Sequence, residues 1–283
     1  ACRSNRPEAF PMDLNQLLES PLSLPHVPRV VALLLFQLEQ PQPDLMRVTQ
    51  LVSSDPGLTF QLLQVANSPY FEMQGRIHSA SESLALLGIG HLRSAVTQAR
   101  ENAAFRAPGG FLLPQYWSYC LNVGKVSRSL AGVLRTNQQE AFTAGLIHSL
   151  GELVLMQALP GQMADISKTH GPLALRRPDA ETRALGYNYA QVTAGLAERY
   201  HLPRTTIEAL QEQCCPFESD SYEPLAGILH LATWRARAKE AGLDQRGLAV
   251  SFPGSVGDIL KLDIDTVLQQ DPIDWYQTQR QQL

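Results

Sequence analysis

Apolar residues recur at helical rather than alternating spacing along almost the whole chain, and this periodicity constrains the fold most strongly. One predicted helical face carries Val30, Leu33, Leu34 and Leu38, and Pro41 and Pro43 interrupt the pattern that follows. The longest predicted helices cover residues 116–134, 141–159, 188–200 and 224–241. Short runs typical of β-strands are scarce, so we expect an all-α protein built from two packed helical lobes.

Local signals predict where several helices of the first lobe begin and end. Asp55 can accept hydrogen bonds from free N–H groups of a first helical turn, and Pro56 occupies a position where its missing N–H costs nothing. The same helix should stop at Asn67 and Ser68, whose side chains bond readily to nearby backbone. Gly88 is predicted to end a helix over 81–87 in a left-handed conformation, and a further helix starts at Gly90.

The sequence Ala107-Pro108-Gly109-Gly110 breaks the helical pattern, and we place the joint between the two lobes there. This divides the chain into a linker or N-terminal extension at 1–20, an N-terminal lobe at 21–106, a C-terminal lobe at 107–245 and a helical tail at 246–283.

Composition favours a large hydrophobic core and excludes several classes of function. The 283 residues are 44% apolar and 18% charged, with a net charge of -4, so no general basic field exists for nucleic acid, which is an unlikely partner. Four cysteines in so long a chain are no disulfide framework and indicate a reducing compartment. No apolar run is long enough to span a membrane. We therefore expect a soluble, cytoplasmic protein without a membrane partner.

Few residues suggest chemistry. The chain contains no P-loop, no nucleophile elbow and no zinc-protease sequence, and Gly88-Ile89-Gly90 only begins like a dinucleotide fingerprint. Cys214 and Cys215 could be soft metal ligands together with His148 or His201, but two reduced thiols near a helix end are the simpler interpretation. His148 itself is most simply a hydrogen-bonded core histidine. Arg176 and Arg177 are interpreted as a solvated pair in a loop.

Several sequence blocks, in the correct order, resemble the HDOD domain, the HD-related output domain of bacterial signalling proteins. The resemblance runs from about Leu24 to Trp234 and rests on these segments: Leu24-Pro25-His26-Val27-Pro28, Asp55-Pro56-Gly57-Leu58-Thr59, Leu62 to Ser68, Ser83 to Gly88, Ala144 to Gly151, and Leu185 to Pro203. It implies that the C-terminal lobe is a degenerate helical bundle of the HD superfamily.

The resemblance also implies where the metal ligands of catalytic HD phosphohydrolases would lie. The first His position falls on Tyr119, the His-Asp pair on His148 and Ser149, the next His on Tyr189, the later His positions near Gln213 and Cys214, and the last Asp near Thr233. Of these positions, only 148 still carries the histidine of the metal site, and none carries a carboxylate for a hard divalent cation. We therefore expect no metal, no cofactor and no catalytic residues, with these seven positions forming a remnant pocket.

The resulting expectation is a non-catalytic output or interaction module that binds protein partners in a bacterial signal-transduction or response-regulator pathway. We expect it to be fused to or controlled by an upstream receiver or sensor domain. Two alternatives stay open. One is a metal-dependent HD-type phosphohydrolase or phosphodiesterase, and the other is a sensor that binds a nucleotide or metabolite in the remnant pocket.

Overall fold

The computed structural model describes residues 12–20, 24–101, 111–217 and 222–270. Within these ranges the chain forms helices and connecting turns and no β-strand, so the predicted all-α class is confirmed. The predicted joint at 107–110 lies outside the described residues, and the division into lobes therefore stays a prediction.

The first part of the chain contains five α-helices and one 3₁₀ turn. They are α1 (Leu14–Glu19), α2 (Pro28–Glu39), α3 (Leu45–Val52), α4 (Pro56–Ala66), the 3₁₀ turn Pro69–Phe71, and α5 (Ala80–Glu101). Helices α2, α3 and α4 pack against α5.

The second part contains eleven helices within the described ranges. They are α6 (Leu113–Val133), α7 (Gln138–Ile147), α8 (Leu150–Ala158), α9 (Pro160–Ser167), α10 (Arg177–Leu185), α11 (Tyr189–Arg199), α12 (Arg204–Glu212), α13 (Pro224–Glu240), α14 (Gln245–Ser251), α15 (Gly254–Leu260) and α16 (Ile264–Gln269). Helix α1, inside the predicted N-terminal extension, packs on α11 and buries Leu17.

The local signals at helix ends act as predicted. The Asp55 carboxylate accepts a hydrogen bond from Leu58 N at 2.8 Å and caps α4. The Asn67 side chain, at the end of α4, donates to the carbonyls of Leu63 and Ile77 and accepts from Ile77 N. Gly88 interrupts α5 with φ 70° and ψ 177°, so its φ is positive as predicted, although its ψ lies outside the left-handed helical region.

Helices α6 and α7 approach so closely that glycine is required at the contact. A Cβ on Gly145 would lie 2.8 Å from Gly124 Cα and 2.8 Å from Ser127 Oγ. Two glycines on facing helices therefore let the backbones meet, and this contact brings the end of α7 against the centre of α6.

The single helix predicted over 141–159 is wrong. The chain breaks at His148 and Ser149, and Ser149 has φ -114° and ψ 16°, so α7 and α8 are separate helices. The break is held from α6, because the Tyr116 hydroxyl donates to Ser149 O at 2.6 Å. The helical spacing of the apolar residues does not reveal such a break, since the hydrogen bond at Ser149 comes from another helix.

The interpretation of Arg176 and Arg177 as a solvated loop pair is wrong for Arg177. Arg177 begins α10 and is fully buried, with Nη2 2.7 Å from Glu152 Oε1 and Nε 2.8 Å from Glu181 Oε1. Arg176, the residue before it, is exposed. A buried guanidinium needs charged partners, and the tertiary fold supplies two carboxylates.

No single helix in the described ranges combines the length and apolarity needed to cross a membrane. The segment Gln138–Ala158, which contains α7 and α8, and the segment Pro160–Ser167, which is α9, meet the length and composition criteria only when they are taken together. The chain bends by 115° between these two segments.

Candidate functional site

The seven positions predicted for the remnant pocket converge around the break between α7 and α8. Tyr119 comes from the middle of α6, His148 and Ser149 form the break, and Tyr189 begins α11. Gln213 and Cys214 follow α12, and Thr233 lies on α13. The structure therefore brings these residues to one region, although Tyr119, His148 and Ser149 lie behind the cavity that the other four line.

A chain of hydrogen bonds fixes His148 in one neutral tautomer. Its Nδ1 lies 2.7 Å from Gly145 O, and a carbonyl only accepts, so Nδ1 carries the proton. Its Nε2 then accepts a hydrogen bond from the Tyr119 hydroxyl at 2.9 Å. Burial lowers the pKa of His148 to about 3. Both ring nitrogens are thus occupied by protein partners, which confirms His148 as a hydrogen-bonded core histidine.

Arg237 is the charged residue of this centre, and the sequence analysis did not identify it. It lies on α13, is 3% exposed, and its Nε donates to the Tyr119 oxygen at 3.0 Å. Its Cζ is 5.8 Å from the ring centroid of Tyr119 and 5.3 Å from that of Tyr189, within the range of cation–π attraction. The available signal was its spacing, because Arg237 follows Thr233 by one helical turn on the same face.

The other polar residues of the centre are neutral. Burial raises the pKa of Tyr119 to about 12 and that of the Cys214 thiol to about 12, and it raises the pKa of Tyr189 well above its usual value. Gln213 Nε2 donates to His148 O at 3.0 Å and to Leu210 O at 3.0 Å. Neither Cys214 nor Cys215 forms a disulfide within the described residues.

Ser149, at the position expected for the bridging Asp, faces away from this chain of bonds. Its Oγ lies 2.9 Å from the Tyr116 hydroxyl and 3.5 Å from Cys120 Sγ, and both partners are on α6. Burial raises the pKa of Cys120 to about 12. The hydroxyl therefore takes part in a neutral, buried contact that holds α8 against α6.

The donor set does not fit a divalent metal. Across the described ranges, no three His, Cys, Asp or Glu residues lie close enough together to hold one. At the centre itself, the ring nitrogen of His148 that could bind a metal accepts from Tyr119, and the neighbouring charge is the Arg237 guanidinium. A second cation would meet repulsion there and no carboxylate to offset it.

A cavity of about 470 Å³ opens beside this centre. Helix α13 supplies Thr233, Trp234 and Arg237 to its wall, and Tyr189 and Gln213 supply the opposite side. The segment Val250 to Pro253, at the end of α14, lines the cavity from the C-terminal part of the chain. The Trp234 indole Nε1 donates to Ser251 Oγ at 3.1 Å and holds that segment in place.

Comparison with known proteins gives one family model and several relatives. The model of the HDOD domain matches residues 24–216. An uncharacterized protein of Treponema pallidum (strain Nichols) is 24% identical over 226 residues, which are 76% of this chain and 42% of that protein. The chain thus spans less than half the length of this curated relative.

Two solved structures share the fold. The MmoQ response regulator of Methylococcus capsulatus is 21% identical with a TM-score of 0.68, over 89% of this chain and 98% of that one. A virulence factor of Campylobacter jejuni is 20% identical with a TM-score of 0.70, over 93% of this chain and 96% of that one. The family model covers more than half of the sequence, and the structural likeness agrees with it. The chain belongs to the HDOD domain family.

Proposed function

We propose that this protein is a non-catalytic signalling module whose HD-type centre has exchanged its metal site for a hydrogen-bonded protein core. The single observation that carries the proposal is the chain of bonds from Arg237 through Tyr119 to His148. In a metal-dependent hydrolase, the ion polarises the phosphoryl oxygen and generates the attacking hydroxide. Here a guanidinium and a phenol occupy that region, and neither can supply a hydroxide nucleophile.

Membership of the HDOD family and the likeness of the fold to MmoQ, which is named a response regulator, support a role in signalling. We infer that the module acts by contacting protein partners in the cytoplasm and that a receiver or sensor domain controls it. In this mechanism an upstream event shifts the packing of the helices and thereby exposes or hides a partner surface. Sequencing the coding region on both sides of this chain tests the receiver, and a gene product without a receiver or sensor domain would contradict that part.

Metal analysis combined with an activity assay tests the non-catalytic part. We expect the purified protein to contain no stoichiometric Mn, Fe or Zn that depends on His148, and to release no phosphate or nitrophenol from bis-(p-nitrophenyl) phosphate after incubation with Mn²⁺. A His148→Ala variant is the matched control, because metal carried by other sites persists in it. Stoichiometric metal in the wild type that disappears in His148→Ala, or turnover that disappears with it, would establish the phosphohydrolase alternative instead.

A further inference from the structure

The Arg237 guanidinium is a buried cation whose charge is balanced by no carboxylate in the described part of the chain. The side chain is 3% exposed, and its Nε donates a hydrogen bond to the neutral Tyr119 hydroxyl. Neither terminal nitrogen donates a hydrogen bond to any described residue. The two tyrosine rings offset part of the desolvation cost through cation–π attraction. A guanidinium this deeply buried is normally paired with an anion.

A contrast within the same lobe supports this point. Arg177 is equally buried, and the fold provides Glu152 and Glu181 on either side of its guanidinium. Burial and the nearby Glu152 carboxylate raise the pKa of Glu181 well above its usual value. The lobe therefore surrounds one buried arginine with acidic side chains and leaves Arg237 with neutral ones, so any anion for Arg237 has to come from outside the described residues.

The cavity beside Arg237 has the size and lining of a small-molecule site. Its volume of about 470 Å³ lies in the range of ligand pockets, and Tyr189, Trp234 and Val250 give it aromatic and apolar walls. Gln213 also lines the cavity. Its Nε2 is committed to two carbonyls, so its Oε1 is identified as the oxygen, and this buried oxygen has no hydrogen-bond partner.

The charged residues at the edge of the cavity do not cancel the positive electrostatic potential that Arg237 creates inside it. Arg176 and Asp179 both line it, both are exposed, and their formal charges are opposite. Exposed charges of this kind interact weakly through water, whereas a guanidinium at the base of a half-enclosed cavity interacts strongly with an anion that enters. The field inside the cavity is therefore positive.

We propose that this cavity binds a small organic anion. The carboxylate or phosphate group of the ligand pairs with the terminal nitrogens of Arg237, and its apolar body packs against Trp234. The inference rests on the proposed function in one respect, because it requires that no metal occupies the centre. It adds that the former metal centre is a ligand site, with a fixed guanidinium as its cation.

The position of the cavity gives such a ligand a route to regulation. Val250 and Pro253 line the cavity and belong to the segment beyond residue 216, where the match to the family model ends. Bound ligand would contact both this segment and the family domain, and would therefore stabilise their mutual packing.

The test uses small probes that carry an anion on an apolar ring. Benzoate and phenyl phosphate are titrated into the full 283-residue chain at constant ionic strength. Binding is followed by ligand-observed NMR, and benzamide serves as the neutral counterpart. We expect both anions to bind in the millimolar range, at least tenfold more tightly than benzamide. Arg237→Met should weaken anion binding at least tenfold, while Arg204→Gln, whose side chain is 88% exposed on α12, should leave it unchanged.

The state of the Arg237→Met variant without ligand is itself informative. Because the substitution removes an unpaired buried charge and keeps most of the volume, we expect it to unfold at the same temperature as the wild type or higher. If it does not fold, Arg237→Lys and the Arg237 Nε–H resonance of the wild type carry the test. The lysine variant keeps the charge without the planar fork and should bind several-fold more weakly, and the resonance should shift when benzoate is added.

Equal binding of the anions to wild type and Arg237→Met, or an Arg237 Nε–H resonance unmoved by benzoate, would overturn the inference and leave the proposed function standing. Phosphate release from phenyl phosphate in the presence of Mn²⁺ would instead contradict the proposed function. The two failures are therefore distinguished in one set of samples.

Discussion

Acidification should weaken this fold through His148, a buried imidazole that stays neutral in the native state. Burial lowers its pKa from 6.5 to about 3. As the pH falls below 6.5, the unfolded chain takes up a proton at this position and the folded chain does not. The contribution of His148 to stability is therefore complete above pH 6.5 and is lost progressively as the pH falls toward 3.

Linkage sets the size of the loss. At pH 5 the unfolded imidazole is almost fully protonated and the folded one is not, so the free energy of unfolding falls by about 2 kcal/mol relative to pH 7. Any folded pKa below about 4 gives nearly the same loss, so the result does not depend on its exact value. Protonation would also remove the bond from Tyr119 and place a second cation near Arg237.

Urea unfolding at pH 7 and pH 5 measures this loss in wild type and in His148→Gln, whose amide does not titrate. Other groups titrate equally in both proteins, so the difference between the two pH dependences isolates His148. We expect the wild type to lose about 2 kcal/mol more than His148→Gln between pH 7 and pH 5. The same exchange at the exposed His91, His91→Gln, provides the matched control for the substitution itself.

Equal losses in wild type and His148→Gln would refute the reasoning. So would a wild-type His148 imidazole that titrates near pH 6.5 by NMR, a measurement that needs no variant and that stands if His148→Gln does not fold.

Three further predictions concern the packing that positions the site, and urea unfolding checks each of them. Gly145→Ala should cost about 1–3 kcal/mol, because its Cβ would meet Gly124 at 2.8 Å, and an unchanged midpoint would show that the helices separate without strain. Arg177→Met should cost about 3–5 kcal/mol by leaving the two buried carboxylates of Glu152 and Glu181 unpaired, and an unchanged midpoint would contradict this. Asp55→Ala should cost more than the roughly 1 kcal/mol expected for the exposed cap variant Asp244→Ala, since the Asp55 carboxylate is fully buried, and equal costs would contradict this.

Local signals were enough to predict much of the helix layout. Asp55 and Pro56 start α4, Asn67 ends it, and Gly88 interrupts α5. Each of these residues acts on backbone groups within a few positions of its own, so its effect can be predicted from the local sequence. The resemblance also located the candidate site, since all seven predicted positions lie around the break between α7 and α8.

The errors in the sequence-based predictions share a physical cause, which is that the deciding partner is distant in the chain. The backbone at Ser149 is held by Tyr116, 33 residues earlier, and the spacing of the apolar residues around it does not reveal this bond. Arg177 was expected in solvent because two adjacent arginines usually lie there. It is buried, and its guanidinium forms an ion pair with the Glu152 carboxylate on another helix.

The sequence by itself determined the class of fold, the ends of several helices, the family and the lack of carboxylates and of all but one histidine at the expected metal-ligand positions, because all of these are expressed in residue type and spacing. Only the tertiary structure decided that Arg237 enters the centre and donates to Tyr119, and that a cavity remains beside it. A side chain's charge can be read from the sequence. Its burial and its hydrogen-bond partners are set by helices that come together from distant parts of the chain.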